Sequence, residues 1–266
     1  MRSDADPAII RSRSNPAIKR VGAVRAGKLP GVVLEGDRLI EDARRAGLAL
    51  ELVLVAESRE ARARELESSG MAVQRAGDGL LAGTSELSTS PGILAICAAP
   101  PARPAAGLEA GPRALILIAA GVADPGNLGA LARSAEAAGA QALGVVSGGA
   151  SPWNSKALRG SMGSLLRLPV HTFRDAPACA RELASRGFRQ VRAATRGGVS
   201  MASFDWAGPI ALWVGSETGE VPDAASDLEA VTIPMRGAAE SLNVAVAASL
   251  LLYASGRAAG DAERAP

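Results

Sequence analysis

The chain has few of the residues that carry thiol, metal and imidazole chemistry. Its two cysteines, Cys97 and Cys179, lie far apart and outside any Cys-x-x-Cys or Cys/His spacing. This inventory excludes a structural zinc site, and we expect two free, buried thiols in a reducing compartment and no bound metal. The one histidine, His171, belongs to no nucleophile motif. We therefore expect an ordinary surface or packing role for it, and nucleophile–histidine catalysis is poorly supported.

Long apolar runs and aromatic residues are also scarce. Aromatic residues make up 3% of the chain, so the core must come from Val, Leu, Ile and Ala. No apolar run reaches the about 18 residues of a membrane helix, and Val244 to Ala254 is the longest candidate. The N-terminal stretch MRSDADPAIIRSRSNP has no apolar region typical of a secretory signal. These absences predict a cytoplasmic protein that does not span a membrane.

Charge is unevenly distributed, although the formal net charge is only +2. Residues 1–30 hold seven Lys/Arg and two Asp, a balance of +5, and residues 156–196 hold nine Lys/Arg and two acids, a balance of +7. Residues 197–266 hold three Arg and nine acids, a balance of −6. The basic segments indicate contact with a polyanion; solvated helix faces are the alternative that charge alone leaves open.

The pattern along the chain predicts two α/β domains: residues 1–99 and 114–266, joined by a proline-rich linker at 100–113. In the first, strand patterns at 31–36, 50–56, 71–76 and 92–98 alternate with two helical patterns, which gives a mainly parallel or mixed sheet. Those helices span 37–47, with Asp37 as cap, and 58–70, with Ser58 as cap. Gly47 and Gly70 are the predicted helix stops.

The second domain opens with Ala114–Ala120, a continuous apolar run typical of a strand buried on both faces. Further strands are predicted at 142–146, 190–195, 210–215 and 231–233, and helices at 128–138, 176–186 and 241–254. Ser241 is the predicted cap of the last helix.

Three polar, glycine-bearing segments follow predicted strands of this domain: 124–140 (DPGNLGALARSAEAAGA), 213–222 (WVGSETGEVP) and 233–254 (IPMRGAAESLNVAVAASLLLYA). Loops at the carboxyl ends of strands form the ligand crevice of an open parallel sheet. GxGxxG, GxxxxGK[ST] and GxSxG motifs are absent. Spacing alone therefore supports an α/β protein with a ligand crevice and does not identify a reaction.

These three segments resemble, in order and spacing, the three motifs of the SpoU (TrmH-like) RNA methyltransferases. The segment between the first two, SPWNSKALRGSMGSLLRLPV, also resembles the family, and the likeness covers about residues 114–256. Residues 15–98 resemble, more weakly, the family's RNA-binding N-terminal domain. The second motif departs from the family pattern, because Thr218 and Glu220 stand where glycines are usual.

The resemblance implies a C-terminal trefoil-knotted α/β methyltransferase domain and a smaller N-terminal α/β domain of ribosomal-protein-like fold. It also implies a homodimer formed through the knotted domain and S-adenosylmethionine as cofactor. By motif position the cofactor-binding residues are Gly215, Ile233 and Leu242, with Met235 and Ser241 as weaker candidates. The implied catalytic residues are Arg133, Asn127, Glu217 and Asn243.

The implied reaction is attack of a ribose 2′-oxygen on the sulfonium methyl group. A guanidinium is a poor base at neutral pH, so we expect Arg133 to stabilise the developing alkoxide, with proton acceptance as the alternative. Ribosomal RNA is the expected substrate and transfer RNA the alternative. A non-catalytic RNA-binding protein of the same fold and a small-molecule α/β enzyme are the other functions considered.

Overall fold

The computed structural model describes residues 9–100, 107–216 and 221–261, with the backbone alone for 257–261. The chain divides into two compact units, one ending at Pro100 and the other comprising nearly all of the remaining residues. Part of the predicted linker, 101–106, lies outside the described residues. Leu108, also within that predicted linker, is buried in the core of the second unit. The packed part of the second unit therefore begins before Ala114.

The first unit is a four-stranded mixed sheet with helices, one of the two sheet types that the sequence predicts. The sheet order is β1-β4-β2-β3, with β4 antiparallel to β1 and β2, and β2 parallel to β3. The elements in chain order are α1 (Pro16–Arg25), β1 (Val32–Glu35), α2 (Asp37–Arg45), β2 (Leu50–Ala56), α3 (Glu60–Ser68), β3 (Val73–Ala76), α4 (Asp78–Ala82) and β4 (Ile93–Cys97).

Two predicted helix caps in this unit are wrong. Asp37 is the first residue of α2, and the cap position belongs to Gly36; the Asp37 carboxylate instead accepts hydrogen bonds from Arg59 and Arg62. Ser58 lies in a 3-10 turn and donates to Asp78 Oδ1 at 2.7 Å, so α3 begins two residues later. In both cases a side chain distant in sequence competes with the local cap. Two further helices, α1, which Asn15 caps, and α4, are not predicted from the sequence.

The second unit is built on a seven-stranded sheet whose neighbouring strands are all parallel, in the order β7-β6-β5-β10-β8-β11-β9. Its elements are β5 (Leu115–Ala120), α5 (Pro125–Ala137), β6 (Ala142–Val146), α6 (Ser155–Ser161), α7 (Ser164–Arg167), β7 (Val170–Phe173), α8 (Ala176–Ser185), β8 (Arg189–Ala194), β9 (Val199–Ser200), β10 (Ile210–Val214), β11 (Glu229–Thr232) and α9 (Val244–Asp261).

Predicted and observed elements of this unit agree best where an apolar run is continuous. Strand β6 has the predicted bounds, β5 and β10 each differ from prediction by one residue at one end, and β8 is shifted by one residue at both ends. Helix α5 begins three residues before its predicted start because Asp124 caps it, accepting a hydrogen bond from the Asn127 amide. The elements α6, α7, β7 and β9 are not predicted. His171 is buried on β7, so of the surface and packing roles that the sequence leaves open, it has the packing role.

Helix α5 approaches α6 closely at Gly129. A Cβ atom added there would lie 2.3 Å from the Ala157 carbonyl oxygen and 2.8 Å from the Ser161 amide nitrogen, both main-chain atoms. Only glycine allows this separation, because neither backbone can move away without displacing a helix. Gly129 therefore fixes the position of α5, which carries Asn127 and Arg133.

We predict that Gly129→Ala lowers the free energy of unfolding by about 1–3 kcal/mol, the usual cost of overpacking a tight contact. Gly22→Ala is the matched control, since residue 22 is also helical and nothing lies within 4 Å of an added Cβ. Alanine there should leave the unfolding free energy unchanged or raise it. Urea titrations of both variants make the comparison, and equal effects would contradict the close approach.

Candidate active site

Three adjacent parallel strands bring their following loops to one edge of the second sheet. Strand β8 lies between β10 and β11, with Arg192 opposite Trp213 and Ala194 opposite Thr232. The carboxyl ends of parallel strands meet at the same sheet edge, which is where open α/β sheets bind ligands. The loops that begin at Thr195, Gly215 and Ile233 therefore gather there.

A pocket lies at this edge, between the strand ends and the last helix. All five residues predicted to bind cofactor line it: Gly215, Ile233, Met235, Ser241 and Leu242. The structure thus brings together residues separated by up to 27 positions in the sequence.

Two parts of the pocket wall are not predicted from the sequence. One is the end of β8 at Ala193, Ala194 and Thr195, and the other is the face of α9 that carries Val244, Ala247 and Leu251. The strand predicted at 190–195 was a signal for the first part, because the carboxyl end of a parallel strand lies beside the carboxyl ends of its neighbours. The α9 residues gave no signal, because an apolar helix face that lines a pocket has the same pattern as one that packs in a core.

The pocket offers apolar walls and polar main-chain groups. Ile233, Met235 and Leu242 are each half-buried, and Gly215 is buried without a side chain. Glu240 carries the single charged side chain among the described lining residues. Such a wall suits a flat, partly apolar group whose polar edge is recognised by backbone N–H and C=O groups.

A hydrogen bond between two predicted catalytic residues joins the first motif segment, 124–140, to the third, 233–254. Asn243 Nδ2 donates to Asn127 Oδ1 at 3.0 Å. Asn243 Oδ1 accepts from the amides of Ala245 at 2.9 Å and Val246 at 3.4 Å, so Asn243 caps α9. The predicted cap, Ser241, is wrong: α9 begins at Val244, and Ser241 is exposed at the pocket instead.

The N-terminus of α5 is fixed by an aspartate with two kinds of partner. Asp124 Oδ1 accepts from the Asn127 amide at 2.9 Å, and Asp124 Oδ2 accepts from Lys156 Nζ on α6 at 2.6 Å. The Lys156 ammonium, followed by the Asn127 amide, holds the pKa of the Asp124 carboxyl below its ordinary value. The carboxylate therefore stays ionised at neutral pH.

Within one chain, Arg133 is not hydrogen-bonded to Asn127 or Asn243. It lies six residues after Asn127 on α5, about 9 Å along the helix axis and about 240° around it, and its side chain is exposed. It makes no hydrogen bond or ion pair with the described residues. The fourth predicted catalytic residue, Glu217, lies outside the residues that the structure describes.

Other catalytic chemistries find little support in the described ranges. No group of three or more His, Cys, Asp or Glu there could hold a metal ion. Both cysteines are buried and unpaired; burial raises the pKa of Cys97 to about 11 and also raises that of Cys179, so neither is an activated thiol. None of the described helices has the length and hydropathy that a bilayer crossing requires.

Fold and site together define an α/β protein with a parallel sheet and a ligand pocket at its carboxyl edge. The model of the SpoU rRNA Methylase family matches residues 114–253, which contain every residue of the pocket wall. The chain belongs to this family, and the predicted resemblance is confirmed.

Individual relatives extend the likeness beyond the family domain. The 23S rRNA (guanosine(2553)-2′-O)-methyltransferase RlmP of Bacillus subtilis is 34% identical over 226 residues, 83% of this chain and 86% of that protein. The 23S rRNA (guanosine-2′-O-)-methyltransferase RlmB of Xanthomonas axonopodis pv. citri is 36% identical over 53% of this chain and 57% of its own length. The SpoU methyltransferase AviRb of Streptomyces viridochromogenes, solved with the cofactor AdoMet, superposes with a TM-score of 0.80 at 28% identity, covering 91% of this chain and 97% of AviRb.

We predict that Asn243→Ala lowers the free energy of unfolding by about 1 kcal/mol, because α9 loses its cap. Asn243→Asp should retain the cap and stay within a few tenths of a kcal/mol of wild type, since a carboxylate is favourable at a helix N-terminus. Ser241→Ala is the control and should be close to neutral. Urea unfolding distinguishes the variants, and an equal loss for Ser241→Ala would mean that the cap is misassigned.

Proposed function

We propose that this protein transfers a methyl group from S-adenosylmethionine to a ribose 2′-hydroxyl of ribosomal RNA. The observation that carries the proposal is that the whole pocket wall falls inside the family-matched stretch, 114–253. The 23S rRNA specificity named for RlmP and RlmB favours ribosomal over transfer RNA. An rRNA substrate implies that the protein works in the cytoplasm.

The lining of the pocket fits the proposed cofactor in chemistry. Its apolar wall suits an adenine ring, and the main-chain groups at Gly215, Ile233 and Leu242 suit the ring's polar edge. Met235 and Ser241 line the same pocket and complete the proposed cofactor set. When bound, S-adenosylmethionine supplies an activated methyl group on a sulfonium, and no metal is required.

The side chains must then orient the ribose and ease proton loss from a weakly acidic hydroxyl. Asn127 and Asn243, which fix each other through their hydrogen bond, are the proposed orienting residues. Glu217 remains a proposed participant on the basis of its motif position. Arg133 stabilises the developing alkoxide electrostatically, since a guanidinium does not readily lose its proton.

A homodimer through the second unit accounts for two exposed features. Helix α9 exposes an apolar stripe of Val246, Leu250 and Tyr253, at helical spacing, and contiguous exposed apolar residues mark interaction surfaces. Arg133 lies exposed on α5, which packs against α9. A second copy on this face covers the stripe and shields Arg133 from water. The trefoil knot of the family's methyltransferase domain is part of the same proposal.

The first unit is the proposed RNA-binding domain. The cations of its described N-terminal stretch, residues 9–30, divide into two sets: Arg11, Arg20 and Arg25 form ion pairs with Glu57, Glu51 and Glu35. Arg13, Lys19 and Lys28 are exposed and form no ion pair within the described part of the chain. The second set is therefore the one that supplies phosphate contacts.

The first experiment tests the reaction itself. With methyl-labelled S-adenosylmethionine, 23S rRNA and a chelator, we expect label in a 2′-O-methylnucleoside after complete RNA digestion. Transfer RNA in place of rRNA distinguishes the alternative substrate. Binding of rRNA without any transfer, at millimolar cofactor, would favour a non-catalytic RNA-binding protein.

We predict that Arg133→Ala lowers the single-turnover rate of methyl transfer at saturating RNA by about 100-fold or more, the scale for removal of a charge-stabilising donor. Arg133→Lys should recover little, because an ammonium lacks the planar fork. Cofactor affinity, measured in parallel by calorimetry, should hardly change because Arg133 does not line the pocket. A near-normal rate would remove Arg133 from the mechanism.

We predict that the triple variant Arg13→Gln, Lys19→Gln, Lys28→Gln weakens rRNA binding and flattens its salt dependence. Each lost phosphate contact should reduce the slope of log K against log salt by about 0.7–0.9. Arg11→Gln with Arg20→Gln is the control of similar chemistry, and its effect should be smaller because both cations already pair within the unit. If the two variants behave alike, the assignment of the phosphate contacts is wrong.

A further inference from the structure

Lys156 ends a chain of hydrogen bonds that reaches the pocket through three helices. Lys156 Nζ on α6 donates to Asp124 Oδ2 at 2.6 Å, and Asp124 Oδ1 accepts from the Asn127 amide at 2.9 Å. Asn127 Oδ1 then accepts from Asn243 Nδ2 at 3.0 Å, and Asn243 caps α9 beside the pocket residue Val244. Each step joins groups of opposite charge or polarity at normal hydrogen-bond distance.

Stability does not account for the Lys156–Asp124 pair. Its side chains are 56% and 42% exposed, and ion pairs of such exposure contribute little to folding. Asp124 would cap α5 without it, since the cap uses the other carboxylate oxygen. The pair instead fixes the rotation of the carboxylate, and with it the first turn of α5.

Residue 126 leaves room for this arrangement. A Cβ atom at Gly126 would lie 2.7 Å from Asp124 Oδ1 and 3.1 Å from Lys156 Cε. A side chain there would require the carboxylate to shift and the lysine stem to move by a few tenths of an ångström. The run Asp124-Pro125-Gly126-Asn127 thus combines a cap, a helix start, space for the lysine and the side chain that bonds Asn243.

We propose that Lys156 is a positioning residue for methyl transfer, acting through Asp124 on the Asn127–Asn243 pair. The proposal rests on the function proposed above, since it assigns both asparagines to ribose orientation. Displacement of a positioned group by a fraction of an ångström costs catalytic rate more than binding. Lys156 therefore influences the rate at saturating substrate without touching the reacting atoms.

The second unit contains a matched control for the Lys156–Asp124 pair. Asp175 caps α8 through Oδ1, accepting from the Ala178 amide at 2.7 Å, while Arg174 donates to Asp175 Oδ2 at 2.8 Å. The local construction is the same: an aspartate cap, a proline in the first turn and a cation on the second oxygen. Helix α8 contributes no residue to the pocket wall.

The test is a double-mutant cycle with Lys156→Met and Asp124→Asn, which keeps a capping oxygen. We expect each single variant to lower the single-turnover rate at saturating rRNA and cofactor by about tenfold. Because both act on one chain of contacts, the double variant should be no slower than the slower single variant. Lys156→Arg should recover most of the rate, and Arg174→Met and Asp175→Asn should match wild type.

A spectroscopic readout separates this proposal from the proposed function. The chain contains four asparagines, so selective ¹⁵N-asparagine labelling gives few side-chain amide signals. Lys156→Met should shift those of Asn127 and Asn243, and Arg174→Met should not, whether or not the protein methylates RNA. Unchanged amide signals in Lys156→Met would overturn the proposal. So would a normal saturating rate with a raised KM and a salt slope lowered by about one, since Lys156 would then be a phosphate contact.

Discussion

The parallel pairing of β8 with both β10 and β11 is the constraint on which the rest of the second unit depends. It sends three chain segments to the same sheet edge, where Thr195, Gly215 and Ile233 begin the loops of the pocket. An antiparallel partner at any of these positions would carry its loop to the opposite edge. The position of the pocket therefore depends first on strand direction and only then on side-chain identity.

Helix packing completes what the sheet begins. Helix α9 closes the pocket with Val244, Ala247 and Leu251, and it also packs against the sheet and α5. Between α5 and α9, Ser134 and Ser249 share a hydrogen bond at 2.6 Å, and Asn127 and Asn243 share one at 3.0 Å. These two polar pairs fix the register of α5 against α9. The loops that precede the two helices therefore keep a defined position relative to each other.

Sequence predicts those parts of the fold that depend on local pattern. Continuous apolar runs predict β5, β6 and β10 to within a residue, because a strand that is buried on both faces is apolar along its whole length. Caps were less predictable: Asp37 and Ser58 find partners on other elements, and Asn243 rather than Ser241 caps α9. A cap depends on where the chain turns, which neighbouring residues do not determine alone.

The candidate site was predictable only in part, for a similar reason. Motif resemblance led to five residues that the structure places around one pocket, and to two asparagines that bond each other. It did not lead to the Ala193–Thr195 wall, which has no distinctive side chain. Nor did it lead to Lys156, whose partner Asp124 lies 32 residues earlier in the chain. Such contacts follow from the path of the whole domain.

We propose that the loops beginning at Thr195, Gly215 and Ile233 form one S-adenosylmethionine site. A crystal structure of the protein with S-adenosylmethionine or its demethylated product tests it most directly. The ligand should lie in the pocket, with its adenine against Ile233 and Leu242 and its polar edge on the main chain near Gly215. Ligand density elsewhere on the protein, with this pocket closed or filled by other residues, would contradict the account.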